Sequence, residues 1–175
     1  MPRLDRIKLL LLMSLFAAPA LAAWVVHQVW PAPATSIYGE LLPPAMLGFS
    51  GITDAAGQPA DLAALRGRWV LLTVANGDCG SVCRRQLHLA RQVRIAQGRE
   101  RERVVQALIQ TEGAAPADLA FTYRVSAGAL ADWPEPARTY VVDPLGRVML
   151  RFPVAGEGRG MLRDLRQLLK ASKIG

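Results

Sequence analysis

The first feature of the hydropathy pattern is one unbroken apolar run. Leu9 to Trp30 is almost wholly apolar, and a short net-positive start, Met1 to Lys8, precedes it. A membrane span needs about 20 such residues, so the run predicts one membrane helix, in which Pro19 is tolerable. Positive charge before the run and little after it place the N-terminus in the cytoplasm and the remainder outside it. Trp24 and Trp30 suit the far interface, and His27 reads as interfacial rather than as a ligand. The rival reading is a cleaved signal peptide, because Ala20-Leu21-Ala22 is an Ala-x-Ala site. The run continues past that site through Trp24-Val25-Val26, which favours a retained anchor. Both readings export the rest of the chain into an oxidising compartment.

Past Trp30 the pattern shortens. Pro31–Ser36 reads as a stiff linker, and Ile37–Leu47, with its Pro43-Pro44 pair, as an extended, surface-packed segment. Phe49–Asp54 predicts a strand, residues 55–60 a tight turn, and Asp61–Gly67 a one-turn helix capped by Asp61 and stopped by Gly67. Trp69–Ala75 is a buried strand and Gln86–Ile95 a helix ending near Gly98. Arg103–Gln110 is a second apolar strand, so the unit predicts a parallel, right-handed crossover. Pro116–Val125 predicts a helix with Pro116 in its first turn, and Trp133–Pro136 a rigid loop. Arg138–Asp143 and the alternating Arg147–Phe152 flank the turn Asp143-Pro144-Leu145-Gly146, which makes an antiparallel hairpin. Gly160–Lys170, with apolar residues three and four apart, is a closing amphipathic helix. No internal repeat is present. The order predicts an α/β fold, a mixed sheet flanked by helices on both faces, a layout that resembles the thioredoxin fold. The expected division is 1–30 anchor or signal peptide, 31–48 linker and extended segment, and 49–175 thioredoxin-like domain.

Composition and charge add bounds. At 175 residues the chain is one domain plus extras, with a core large enough to need no disulfide staples. Its net charge of +7 is mostly arginine, much of it in Arg84–Arg103. A solvated helix face is the plainest reading, and a basic face toward anionic lipid or an acidic partner the next. No aromatic pattern interleaves the charge and no binding motif accompanies it, so no nucleic acid is expected.

The candidate chemistry lies in Asn76-Gly77-Asp78-Cys79-Gly80-Ser81-Val82-Cys83-Arg84-Arg85, which holds both cysteines of the chain. They fall between the buried strand and the helix. With Ser81 or Asp78 as cap, Cys79 and Cys83 lie near the first turn, four residues apart on one face. Such a pair can bridge or can grip one soft metal ion. The helix N-terminus, Arg84 and Arg85 favour thiolate, and Asp78 opposes it.

Three pieces resemble the thioredoxin superfamily: Phe49 through Gly57-Gln58-Pro59 to Leu72, the cysteine turn, and Thr139–Val148. Within it, the Cys-x-x-x-Cys spacing, the export and the N-terminal anchor resemble the SCO/SenC family of copper-binding assembly factors for cytochrome c oxidase. That resemblance implies Cys79 and Cys83 as Cu(I) ligands. It also implies departures. Arg84 stands where the family usually has Pro, and Asp132–Thr139 lacks the family's third-ligand histidine. His88, five residues past Cys83, points away from the thiols at about 100° per residue. Met46, Met149 or a partner residue could complete a site. Pro136 is one residue off the place where thioredoxins set a cis-proline.

Two functions are consistent with these residues. The first is a membrane-anchored, periplasm-facing assembly factor that acts on the copper-binding subunit of a respiratory oxidase. It would work by thiol–disulfide exchange, in which the resemblance to thioredoxins implies Cys79, nearer the loop, as attacker and Cys83 as resolver, or by Cu(I) delivery. The missing ligand tilts this toward exchange. The second is a non-catalytic thioredoxin-like scaffold whose cysteines form a structural bridge. A peroxiredoxin is disfavoured, since no Thr-x-x-Cys precedes the helix.

Overall fold

A computed structural model of the chain describes residues 3–29, 37–114, 116–131, 133, 137–154 and 156–174. It falls into two compact units, residues 1–36 and 37–175. In the first, the apolar run forms helix α1 (Arg3–Val29), with Pro19 inside it. The stretch Ile7–Val25, 19 residues, is long and apolar enough to cross a membrane. At 1.5 Å per residue it spans about 28 Å, close to a hydrocarbon core of about 30 Å. The linker 31–36, Trp30 and Pro134–Pro136 lie outside the described residues.

The second unit is built on β3 (Trp69–Ala75), every residue of which is buried. A strand apolar on both faces belongs inside a sheet. β3 pairs in parallel with β4 (Val104–Gln110) and antiparallel with β6 (Arg138–Val142). Outward from β4 come β5 (Phe121–Arg124), parallel, and then the two-residue β2 (Thr53–Asp54), antiparallel. Outward from β6 come its hairpin partner β7 (Arg147–Arg151) and then β1 (Glu40–Met46), both antiparallel. The seven-stranded order is β1-β7-β6-β3-β4-β5-β2.

Alternation along the strands divides the core in two. Trp69 and Leu71 face a layer made by α2 (Ser81–Ile95) and α3 (Gly158–Ala171), which contribute Ala90, Val93, Met161, Leu165 and Leu169. Val70, Leu72 and Val74 face the other way, onto Leu65, Leu130, Phe49 and Trp133. Short 3-10 turns over 62–65 and 127–130, rather than α-helices, cover that second side. Asp61 caps the first turn as expected, its Oδ1 accepting the Ala63 N–H at 2.9 Å.

Three predicted segments change. Pro116–Val125 is not a helix: Pro116 closes one turn, accepting the Leu119 N–H at 3.2 Å, and the chain then enters β5. Thr122, Tyr123 and Val125 favour the pleated conformation, and Tyr123 and Val125 fill the second core. The Phe49–Asp54 strand shrinks to β2. Gly51, at φ +68°, interrupts it, and Asp54 Oδ1 turns the chain by accepting from Ala56 and Gln58 N–H. The segment with Pro43-Pro44 becomes the edge strand β1, irregular between Leu41 and Ala45, where missing prolyl N–H groups are tolerated.

Candidate functional site

β3 delivers the chain into the cysteine turn at Asn76. Gly77 takes φ +101° there. Its N–H donates to Thr111 Oγ1 at 2.7 Å, and its carbonyl accepts the Glu112 N–H at 3.2 Å. Gly113 follows at φ +89°, and a Cβ on it would stand 2.9 Å from Asp78 Cβ. The stretch after β4 therefore clamps the turn from one side.

α2 begins directly beyond. Its N-cap is Gly80, with no side-chain capping bond. Neither Ser81 nor Asp78 serves as the expected cap: Ser81 is the first helical residue, and Gly80 N–H bonds the Asp78 carbonyl at 2.9 Å. A helix leaves its first N–H groups without intrahelical partners. Cys79 and Cys83 flank this positively polarised end, which favours thiolate.

The two cysteines are joined as a disulfide, with Cα atoms 5.1 Å apart. Cys83 is 2% exposed and Cys79 9%. Both pack on Ala75 and Leu108, with Leu87, Leu119 and Ala137 at the margin. Arg84 reaches back and donates from Nη1 to the Cys79 carbonyl at 3.1 Å; Arg85 is exposed. Cys79 lines a cavity of about 570 Å³ together with Arg84, Leu87, His88, Arg91 and Leu119. A separate cavity of about 260 Å³ reaches Cys83, with Ser81 and Ala137 on its wall. The bridge is thus approached by two openings of different chemistry.

The candidate third ligands do not gather at the sulfurs. Met46 is exposed on the edge strand β1, and Met149 packs beside the cluster of α2 and α3. His88 is exposed on α2 and shares the wall of the Cys79 cavity. Among the described residues no three His, Cys, Asp or Glu side chains form a group able to hold a metal. His27's side chain and Pro136 lie outside the described residues; Ala137, the first described residue after Pro136, packs at the margin of the cysteine cluster.

Sequence reasoning missed Gln86. It is 1% exposed, three residues past Cys83 on the buried side of α2. Its Nε2 donates to the Val154 carbonyl, and its Oε1 accepts from Thr139 Oγ1 at 3.1 Å. Thr139 Oγ1 in turn lies 3.4 Å from Thr73 Oγ1. This buried polar chain ties the first turns of α2 to β6 and β3. The signal was present: a glutamine on the apolar stripe of a helix must find partners inside.

The family described as transmembrane-like, thioredoxin-like, C-terminal domain matches residues 69–172. No curated protein matches the chain. Several solved structures share the fold. Yeast Sco1 with copper bound is 10% identical, with a TM-score of 0.55 over 74% of this chain and 91% of that one. Arabidopsis thaliana ScoI with copper bound is 11% identical, with a TM-score of 0.53 over 73% and 100%. A DsbF homologue from Corynebacterium diphtheriae is 13% identical, with a TM-score of 0.50 over 82% and 98%. Copper-bound SCO proteins and a DsbF homologue thus share one architecture with this chain, at identities that speak to fold alone.

Proposed function

Since this chain belongs to the transmembrane-like, thioredoxin-like, C-terminal domain family, we propose that it is a membrane-tethered thiol–disulfide exchange protein working outside the cytoplasm. In this reading residues 1–30 anchor it, 31–48 form a linker and an extended segment that joins the sheet as β1, and 49–175 carry the chemistry. One observation supports it above the others: a Cys79–Cys83 bridge at a strand-to-helix junction, with Cys79 on the wall of the larger cavity and the less exposed Cys83 on that of a smaller one. In the reduced form the Cys79 thiolate attacks a substrate disulfide, whose far sulfur leaves as thiolate. Cys83 then attacks Cys79 Sγ, releasing the substrate as a dithiol and re-forming the bridge. Two electrons pass from this pair to the substrate, and a separate dithiol donor must return them.

The substrate we assign is the copper-binding subunit of a respiratory oxidase, whose cysteines must be reduced before metal arrives. A second reading makes Cu(I) itself the cargo. Two reduced thiolates four positions apart suit that soft ion, and a third donor would have to come from the partner.

The test uses the full chain in detergent. It is reduced, its free thiols are counted, and Cu(I) is titrated anaerobically against a competing chelator. Exchange predicts two titratable thiols, a reversible bridge at a moderate potential and no competitive copper binding. One tightly held Cu(I), lost in Cys79→Ser, selects the cargo reading. A Cys79→Ser/Cys83→Ser variant that supports normal oxidase assembly leaves only the structural scaffold.

A further inference from the structure

The charge of this chain is not spread evenly. α2, the turn after it and α3 (residues 81–103 and 157–173) hold twelve of the 21 Lys and Arg residues and four of the 14 Asp and Glu. The remainder of residues 37–175 holds six and nine. Both helices lie on one side of the sheet, so their outer surfaces form one cationic plate and the rest of the unit is net acidic. On α3 the pattern is regular. Arg159, Arg163, Arg166 and Lys170 follow at steps of four, three and four, with Lys173 next, and all five are exposed. Met161, Asp164, Leu165 and Leu169 point inward. Arg84, Arg85 and Arg91 are exposed on α2, which carries no acidic residue.

We propose that this plate docks the domain onto the anionic lipid surface of the membrane that α1 enters, so that the helical layer faces the headgroups. The proposal rests on the tethered reading above. An acidic protein partner would also meet charge, but protein interfaces draw their energy from buried aromatic and apolar anchors. No Trp, Tyr or Phe occurs on α2 or α3, and the large apolar residues exposed there, Val82 and Ile95, stand at opposite ends of α2. A lipid surface needs only juxtaposed cations. Seven residues separate Val29 from Ile37, a short tether that keeps the plate's effective concentration at the surface high.

The experiment exploits the sealed Cys79–Cys83 bridge: in the oxidised full chain, Gln167→Cys supplies a single labelling thiol on the plate. The labelled protein is reconstituted into phosphatidylcholine vesicles with or without phosphatidylglycerol, and energy transfer to a headgroup acceptor is measured. A second label at Ala56→Cys reports the other side. Docking predicts stronger transfer from position 167 than from 56, only with phosphatidylglycerol. The difference should vanish as salt rises from about 0.1 M to about 1 M and the Debye length falls from about 10 Å to about 3 Å. Each cation lost among Arg159→Gln, Arg163→Gln and Lys170→Gln should weaken association about fivefold. Transfer indifferent to lipid charge, salt and these substitutions overturns the proposal. Vesicle flotation separates the two readings. Flotation with both lipids but no orientation keeps the anchor and removes the plate. Flotation with anionic vesicles alone, released by salt, keeps the plate and removes the anchor. Flotation with neither removes both.

Discussion

At the scale of the residue, the two sulfurs are unequal. Cys79 lines the larger of the two cavities and is the more exposed sulfur, while Cys83 lines the smaller one. The larger opening offers an incoming substrate sulfur Cys79. Cys83→Ser should trap a mixed disulfide on Cys79, seen as a mass adduct with a substrate peptide, whereas Cys79→Ser should trap none. Equal trapping by both variants would remove the assignment of roles. Gly160 shows the same sensitivity away from the site. An added Cβ would overlap the Tyr38 ring at Cγ, and that ring also stacks on Phe152 while its hydroxyl accepts the Glu157 N–H at 2.8 Å. The ring therefore has little room to retreat. Gly160→Ala should cost about 1–3 kcal/mol in urea unfolding, and Tyr38→Ala should relieve that cost when the two are combined. A Gly160→Ala midpoint equal to the parent's would show that Tyr38 moves freely.

At the scale of the element, the hairpin of β6 and β7 is fixed by Asp143, whose Oδ1 accepts Leu145 and Arg147 N–H while Oδ2 meets the Arg147 guanidinium at 2.7 Å. The turn was legible as Asp-Pro-Leu-Gly because its chemistry is local. So were β3, β4 and both long helices of the domain, whose apolar period is unambiguous. β5 was not: four residues long, it is held as a strand by β4 on one side and β2 on the other, contacts remote in sequence. The site divided in the same way. The cysteines and their junction were visible, whereas Gln86, Thr139 and Ala137 reach the site only through tertiary packing. β6 also carries a pH effect. Burial pushes the Tyr140 hydroxyl above its ordinary value of 10.0, while the guanidinium groups of Arg151 and Arg138 pull it partly back. A raised folded-state value means that stability is fully present below about pH 10 and is lost as pH rises through the shifted value. Urea midpoints should fall as pH rises above about 10, and Tyr140→Phe should fall less. An equal fall in both proteins would place the titration elsewhere, with Tyr123, raised by the same cause, next in line.

At the scale of the whole molecule, the question is whether the bridge is there for stability or for chemistry. Cys79 and Cys83 are four positions apart, so the bridge closes a very short loop. Loop-closure entropy for so few residues amounts to about 2 kcal/mol. The fold has larger supports. Two apolar clusters sandwich the sheet, and neither contains a cysteine. The Arg103 guanidinium ties the end of α3 to the turn after α2 by donating to the carbonyls of Leu169, Ser172 and Ile174. Reduction should therefore lower unfolding free energy by about 2 kcal/mol at most, leaving a folded protein with the same far-ultraviolet dichroism. Urea unfolding of the full chain in one detergent, with and without a phosphine reductant, measures this directly. A reduced protein that stays folded can cycle between dithiol and disulfide without losing the surface that recognises its substrate. A reduced protein that unfolds would make the bridge a staple, and the scaffold would then be the better account of two sulfurs set at the end of the central strand.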